Sequence, residues 1–489
     1  MQSSTTAGGE GAGAHDQPHI HKTLRWHHAV ALVLGPTTGV FISMGFQIGA
    51  IGAWATIFIA GLMTLIAVAQ GFLFAEMAAM FPDKPGGISL YAHEAWKKYF
   101  APLGSLAAFG YWMGYSLVLA ITGVIIGSLI QAQWFPDVTW TVSTGTVDLS
   151  LGHIIGLVTV ALAWFLNVRG IKVAVRVNQI VGVVFVVVLA IIAFGPYFTG
   201  GWKASNLSWH VSGWKPFVVW MYVTAWTAYS SELCATFAPE FKDTIRDTRK
   251  ALVTTGILLL AVFTLVPMGA AGYLGEQAIG ENPLTYGVMV VNQLFGSGGQ
   301  VITAAVVAAF FIGQICASAD AARALFGLAK DDMTIKELYH LNRRGEPSRA
   351  LTLDLVVNVL ILLFVGNPLA ILFASNLGYI LSITLAVAGF LLLRRDRPAW
   401  PRPFRAGAGW VPAGVFLVAV NLVMLVVGAL NPGLAGYGGI RESFIGLGIL
   451  LVAWVLFAFR RIVQDRTGLR LREDAPALPT SEVADPSAL

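Results

Sequence analysis

Hydrophobic positions in this chain fall in long blocks, and polar positions are confined to short intervals between them. Apolar runs bounded by turn or charge signals lie near 27–51, 54–80, 102–131, 149–168, 174–198, 213–237, 250–274, 299–328, 351–366, 368–393, 410–430 and 442–460. Most approach the roughly 20 residues that a helix needs to cross a bilayer. The ten-residue alternating segments of a transmembrane barrel are not seen. The pattern therefore predicts an all-α polytopic membrane protein with twelve transmembrane helices.

Two of the twelve segments are unlike the others. The first, HHAVALVLGPTTGVFISMGFQIGAI, carries Gly35, Pro36, Thr37, Thr38 and Gly39 in its interior. Proline removes a backbone donor and clashes one turn back, and glycine costs helix stability. Backbone groups freed inside lipid must face protein or a cavity. The segment thus reads as two half-helices meeting near the midplane with free amides and carbonyls aimed at a ligand, an ordinary proline kink being the alternative. In the sixth segment Thr224, Thr227, Ser230, Ser231 and Glu232 fall within nine residues. Glu232 is read as the deepest acid of any span, hence functional by default, and the hydroxyls suit carbonyls freed by local opening. A straight helix with Glu232 bonded to a neighbour is the alternative. Interruptions five helices apart predict a five-plus-five inverted repeat, about 27–198 and 213–393, with a site between the halves and two further helices at about 410–460.

Elsewhere, Phe81-Pro82 and Gly86-Gly87 end the second segment, and Ile88–Tyr99 has an amphipathic pattern suited to the inner membrane face. Tyr111 and Tyr115 share one face of the third helix. Asp320, Arg323, Lys330, Asp354 and His153 read as segment-end residues. Residues 1–24 and 462–489, small and polar, are expected to be disordered cytoplasmic tails flanking a transporter domain at 25–461. The absence of an apolar core in the first 20 residues argues against a cleaved signal peptide. His15, His19 and His21 offer only a weak metal site in such a tail.

Composition sharpens the membrane reading. Hydrophobic residues make up 56% and charged residues 12% of the 489, with mean hydropathy +0.72. A soluble chain carries about twice that charge. The net charge of +5 reflects topology: with the N-terminus inside, 28 of 31 Lys and Arg fall inside, and only Lys203, Lys215 and Arg441 fall outside. That distribution speaks for cytoplasmic termini in a cell membrane and against a nucleic-acid surface. Cys234 and Cys316 both lie in apolar segments, with no disulfide framework and no metal spacing. No cofactor is expected.

Several motifs together resemble the amino acid–polyamine–organocation transporter superfamily, over about Leu24 to Arg461. GPTTGVF resembles its glycine-rich unwound motif, and EMAAMFPDKPGGISLYAHEAW the segment after helix two. NVRGIKVAVRVNQ is similar to the entry into helix five, ARALFGLAKDDM with Pro347 to the signature after helix eight, and RPAWPRPFRAG to the loop before helix eleven. The resemblance implies a LeuT-type amino acid permease that works by alternating access, helices 1, 2, 6 and 7 rocking against 3, 4, 8 and 9. It implies a substrate carboxylate at Gly35–Gly39, in keeping with the free N–H groups and dipole of a half-helix, and an ammonium on carbonyls around Trp226–Tyr229. By the same likeness Trp226 closes the site, Thr227, Tyr229 and Ser230 belong to it, Tyr111, Gly114 and Tyr115 line it, and Glu232 is structural or proton-linked. Two positions depart from the family pattern. Phe185 stands where some members have a cation-replacing lysine, and Ala322 replaces a serine while Ser318 remains. A coupling proton or sodium ion is thus not inherited from the likeness.

The expectation is a secondary amino acid transporter. A polyamine or organocation carrier or exchanger would instead use Glu232 and the aromatics through charge and cation–π contacts, and a non-transporting sensor would use the same pocket. An intramembrane enzyme would need a cluster or nucleophile–base pair that the segments lack.

Overall fold

The computed structural model describes residues 24–28, 35–82, 84, 86–144, 148–170, 174–236, 238–365, 367–436 and 439–474. The tails expected at 1–23 and 475–489, with His15, His19 and His21, lie outside the described residues.

The described chain is overwhelmingly helical. A 3₁₀ turn at Gly35–Gly39 leads into α1 (Val40–Ile51), followed by α2 (Ala53–Met80), α3 (Gly87–Phe100), α4 (Pro102–Ser116) and α5 (Val118–Trp134). A two-stranded antiparallel hairpin, β1 (Thr141–Ser143) and β2 (Asp148–Ser150), precedes α6 (Leu151–Arg169) and α7 (Ala174–Phe198). Then come α8 (Trp214–Ala228), a 3₁₀ turn at Tyr229–Glu232, α9 (Leu233–Thr236), α10 (Thr244–Leu274), α11 (Glu276–Glu281) and α12 (Tyr286–Phe295). The bundle ends with α13 (Gly299–Lys330), α14 (Ser348–Phe364), α15 (Pro368–Asp396), α16 (Trp410–Leu430) and α17 (Ile440–Phe459). Among the described residues nine helical stretches are long and apolar enough to cross a membrane, and the chain is a multi-pass membrane protein. The first, sixth and ninth sequence segments correspond to shorter helices of 12, 15 and 17 residues.

Local chemistry explains many boundaries. Asp243 accepts from Arg246 N at 2.9 Å to cap α10, and Asn367 accepts from Leu369 N and Ala370 N before Pro368 opens α15. Gly52 separates α1 from α2 at φ +87°, and a Cβ there would lie 2.5 Å from Ser208 O. That corner is clasped by Glu276, which accepts from Ala53 N at 2.6 Å and Ser208 N at 2.7 Å.

The structure refines several expectations. The segment 102–131 is one long apolar stretch, Pro102–Trp134, with a one-residue joint at Leu117 where side chains of α13 and α14 take up backbone groups. The short hairpin and helix α12 fall between the apolar segments, and the fold is all-α apart from that hairpin. The amphipathic helix α3 is largely buried against α4 and α15. Residues 462–474, expected as the start of a disordered tail, are tied down instead. Asp465 pairs with Lys336 at 2.8 Å, Arg461 with Glu473 at 3.0 Å, and Glu473 N donates to Lys97 O at 2.9 Å. Charges that look solvated in the sequence are consumed by partners elsewhere in the chain. Leu24, at the edge of the expected N-terminal tail, bonds on both sides to Glu240 and Lys242.

Candidate functional site

Helix α13 packs against the 3₁₀ turn at Gly35–Gly39, whose last residue abuts α8. A Cβ on Gly39 would lie 2.5 Å from Thr227 Cγ2 and 2.9 Å from Thr227 Cβ, so only glycine lets the two unusual segments touch. Thr37 and Thr38 are buried there, and side-chain surroundings of Gly35 and Pro36 lie outside the described residues. The two α-helices adjoining this contact are cut short, α1 by the turn before it and α8 by the turn after it.

Hydroxyls hold the second turn as the sequence anticipates. Ser230 Oγ donates to Thr227 O at 2.7 Å, Thr227 Oγ1 to Thr224 O at 3.0 Å, and Thr224 Oγ1 approaches Gln47 Oε1 of α1 at 2.9 Å. The Thr227 carbonyl thereby has a partner within the turn.

Glu232 ends this turn, 2% exposed, and is ringed by tyrosines. Tyr115 and Tyr379 donate to its Oε1 at 2.7 and 2.8 Å, and Leu233 N donates to Oε2 at 2.9 Å. Tyr111 stacks beside this pair, 4.9 Å from Tyr115 and 6.2 Å from Tyr379 between ring centroids. Trp226, half-buried, donates from its indole to Gly114 O at 3.2 Å and to Ser375 Oγ at 3.1 Å. Gly114 in turn lies against Tyr379, whose Cβ a methyl group at Gly114 would approach to 2.9 Å. Tyr111, Gly114, Tyr115, Trp226 and Glu232 thus form one neighbourhood.

Two expected members fall elsewhere. Tyr229 turns away to α16, donating to Asn421 Oδ1 at 2.8 Å, an oxygen that also accepts from Gln70 at 3.2 Å. Ser318 is buried on α13, and its Oγ has no hydrogen-bond partner among the described residues. Phe185 packs with Phe41 and Phe310 at 6.2 and 6.3 Å, an apolar setting for the position where the family pattern can place a lysine. Asp354, near the start of α14, is also fully buried, at 0% exposure. Sequence reasoning missed Ser375 and Tyr379, although their four-residue spacing in the polar run SNLGY of an apolar segment is a usable signal. No cluster of His, Cys, Asp and Glu suited to a metal occurs among the described residues.

Two shortened helices that touch near a tyrosine-bound, buried acid resemble the discontinuous helices of membrane carriers. Residues 24–455 match the model of the amino acid permease family. The chain belongs to that family, within the amino acid–polyamine–organocation superfamily. Among curated relatives, the amino acid permease resembles Amino-acid permease RocE of Bacillus subtilis (strain 168), 24% identical over 368 residues, covering 70% of this chain and 73% of the relative. It also resembles a D-serine/D-alanine/glycine transporter of Escherichia coli O6:H1, 24% identical over 355 residues, covering 65% and 72%. The permease is accordingly a membrane transporter and not an enzyme.

Proposed function

We propose that this permease is a secondary transporter that carries an amino acid across the cell membrane by alternating access, with both termini cytoplasmic. Twelve crossings in a five-plus-five inverted repeat, plus two C-terminal helices, would set the two cut helices face to face. The substrate carboxylate is held by backbone N–H groups around Gly35–Gly39 at the start of α1, where the helix dipole favours an anion. Its ammonium lies toward the carbonyl end of α8, around Trp226–Tyr229. Trp226 closes the pocket, Tyr111, Gly114 and Tyr115 line it, and Glu232 links Tyr115 and Tyr379 across it. The observation that carries this reading is the direct contact of Gly39 with Thr227 beside that tyrosine-ringed carboxylate. The relatives named above support an amino acid as solute.

Proteoliposome uptake with competition tests it. Free amino acids should compete, and α-carboxyl-blocked ones should fail. Equal competition by the blocked compounds would remove the carboxylate role of Gly35–Gly39. The aromatic faces of Tyr111, Tyr115 and Tyr379 favour a second reading, an organocation carrier, which that outcome would select.

A further inference from the structure

Asp354 lies in the second turn of α14, and its surroundings are polar yet uncharged. Ser116 Oγ touches its Oδ1. Asn358 Nδ2 donates to Ser116 Oγ at 3.1 Å, and Asn358 Oδ1 accepts from Ala120 N at 3.0 Å. One face of α14 therefore grips both sides of the α4–α5 joint. Gln314 of α13 completes the grip, donating to Leu119 O at 2.9 Å. Among the described residues Asp354 Oδ2 accepts no hydrogen bond of good geometry, and the Trp112 indole N–H is the donor that stands beside the carboxyl.

No charge balances this group among the described residues. Helix α5 has no titratable residue. On α6, His153 sits at one end against Ser150 and Arg169 at the other. On α13, Arg323 pairs with Glu346 and is felt by Asp320 and Cys316, and Lys330 closes the helix. On α14 itself Arg349 reaches Glu337 O. In the turn Lys336–Leu338, Lys336 pairs with Asp465 and Glu337 accepts from Gln464. Tyr111 and Tyr115 of α4 turn to the Glu232 side. An isolated carboxylate in such a place costs several kcal/mol unless it is neutralised.

We propose that Asp354 is a proton-binding site that sets the state of the α4–α5 joint. With the carboxylate charged, the Ser116 hydroxyl donates to Oδ1. When Asp354 takes a proton from water, its own O–H donates to Ser116 Oγ. The serine proton then turns to a carbonyl one turn back in α4, an acceptor open to serines in helices. Ser116 adjoins Tyr115, which holds Glu232 at 2.7 Å, so the exchange is felt at the solute site without Asp354 touching the solute. Asp354 is thus a positioning residue. Its link to solute movement rests on the transport reading above, while its proton binding does not.

Infrared difference spectra of the full chain in liposomes, taken across pH steps, test the proposal. The wild type should show a titrating protonated-carboxyl stretch that D354N removes and E232Q leaves in place. S116A should shift both its frequency and its titration midpoint, and D354N should lose the pH-dependent part of solute uptake. A D354N spectrum that has lost no titrating component, or no titrating band in the wild type, overturns the proposal. Should D354N fail to insert, S116A decides, and an unmoved midpoint overturns it equally. A band that titrates and responds as expected in a protein that takes up no solute would overturn the transport reading and leave the proton site standing.

Discussion

A methyl group at Gly39 has nowhere to go except into the Thr227 side chain. Overpacking of this kind costs about 1–3 kcal/mol in a well-packed interior. Gly39→Ala should therefore lower the thermal midpoint and suppress uptake. Thr227→Ser in the same chain should restore part of both, since it removes the nearer carbon and keeps the hydroxyl that donates to Thr224 O. If the pair is simply additive, the two segments are not in contact and the site description fails. Trp226 gives a complementary test, because its one indole N–H is shared between Gly114 O and Ser375 Oγ while the ring is only half-buried. Trp226→Ala should abolish uptake with a small change in melting temperature, and Trp226→Phe should retain the ring and most of the uptake. A loss of stability by many degrees in both variants would make Trp226 a packing residue.

Helix α3 shows how an element reads differently in sequence and in structure. Its amphipathic pattern was plain, yet Glu94 is 4% exposed and works as an ionic hub. It accepts from Lys84 and Lys97 at 2.9 Å each and from Arg397 at 3.0 Å. Burial pushes its carboxyl up, but the two lysines outweigh burial and hold it down at about 2, against an ordinary 4.5. A folded-state value below the unfolded one means that the stabilisation is complete above pH 4.5 and is lost as the pH falls toward 2. A shift of that size corresponds to about 3 kcal/mol. Glu94→Gln should be less stable than wild type at neutral pH and should show a flatter stability curve between pH 5 and 2, measured by thermal unfolding in nanodiscs. Parallel curves would mean that Glu94 titrates normally. The same contrast explains which other elements could be read in advance. Gly35–Gly39 announces its turn because glycine and proline act on their own backbone. The α4–α5 joint announces nothing, because Gln314, Asp354 and Asn358, which engage it, stand some two hundred residues along the chain. The contacts of residues 462–474 are illegible for the same reason, their partners being Lys97 and Lys336.

At the scale of the molecule, the helices sort into two packed sets. Helices α2 and α10 pack along their lengths, and α2 also meets α8. On the other side α5 packs on α6, and α13 packs on α4, α5 and α6. Helix α7 touches both α10 and α13, bridging the sets. The family likeness follows from local motifs, and the membrane architecture from composition and run length, which are additive along a sequence. This division depends on pairing and could not be counted from it. Alternating access requires each set to move as a body, because packed interiors deform poorly. Spin labels at Leu65 of α2 and Ile257 of α10, both exposed, should keep one separation with and without solute in a chain whose Cys234 and Cys316 have been replaced. Labels at Ile257 and at exposed Val158 of α6 should change theirs when solute is added. The comparison needs only relative shifts within one preparation, so label flexibility cancels. If the two pairs shift together the sets do not move as separate bodies, and if neither shifts under turnover conditions the permease carries its solute by some motion other than the one argued here.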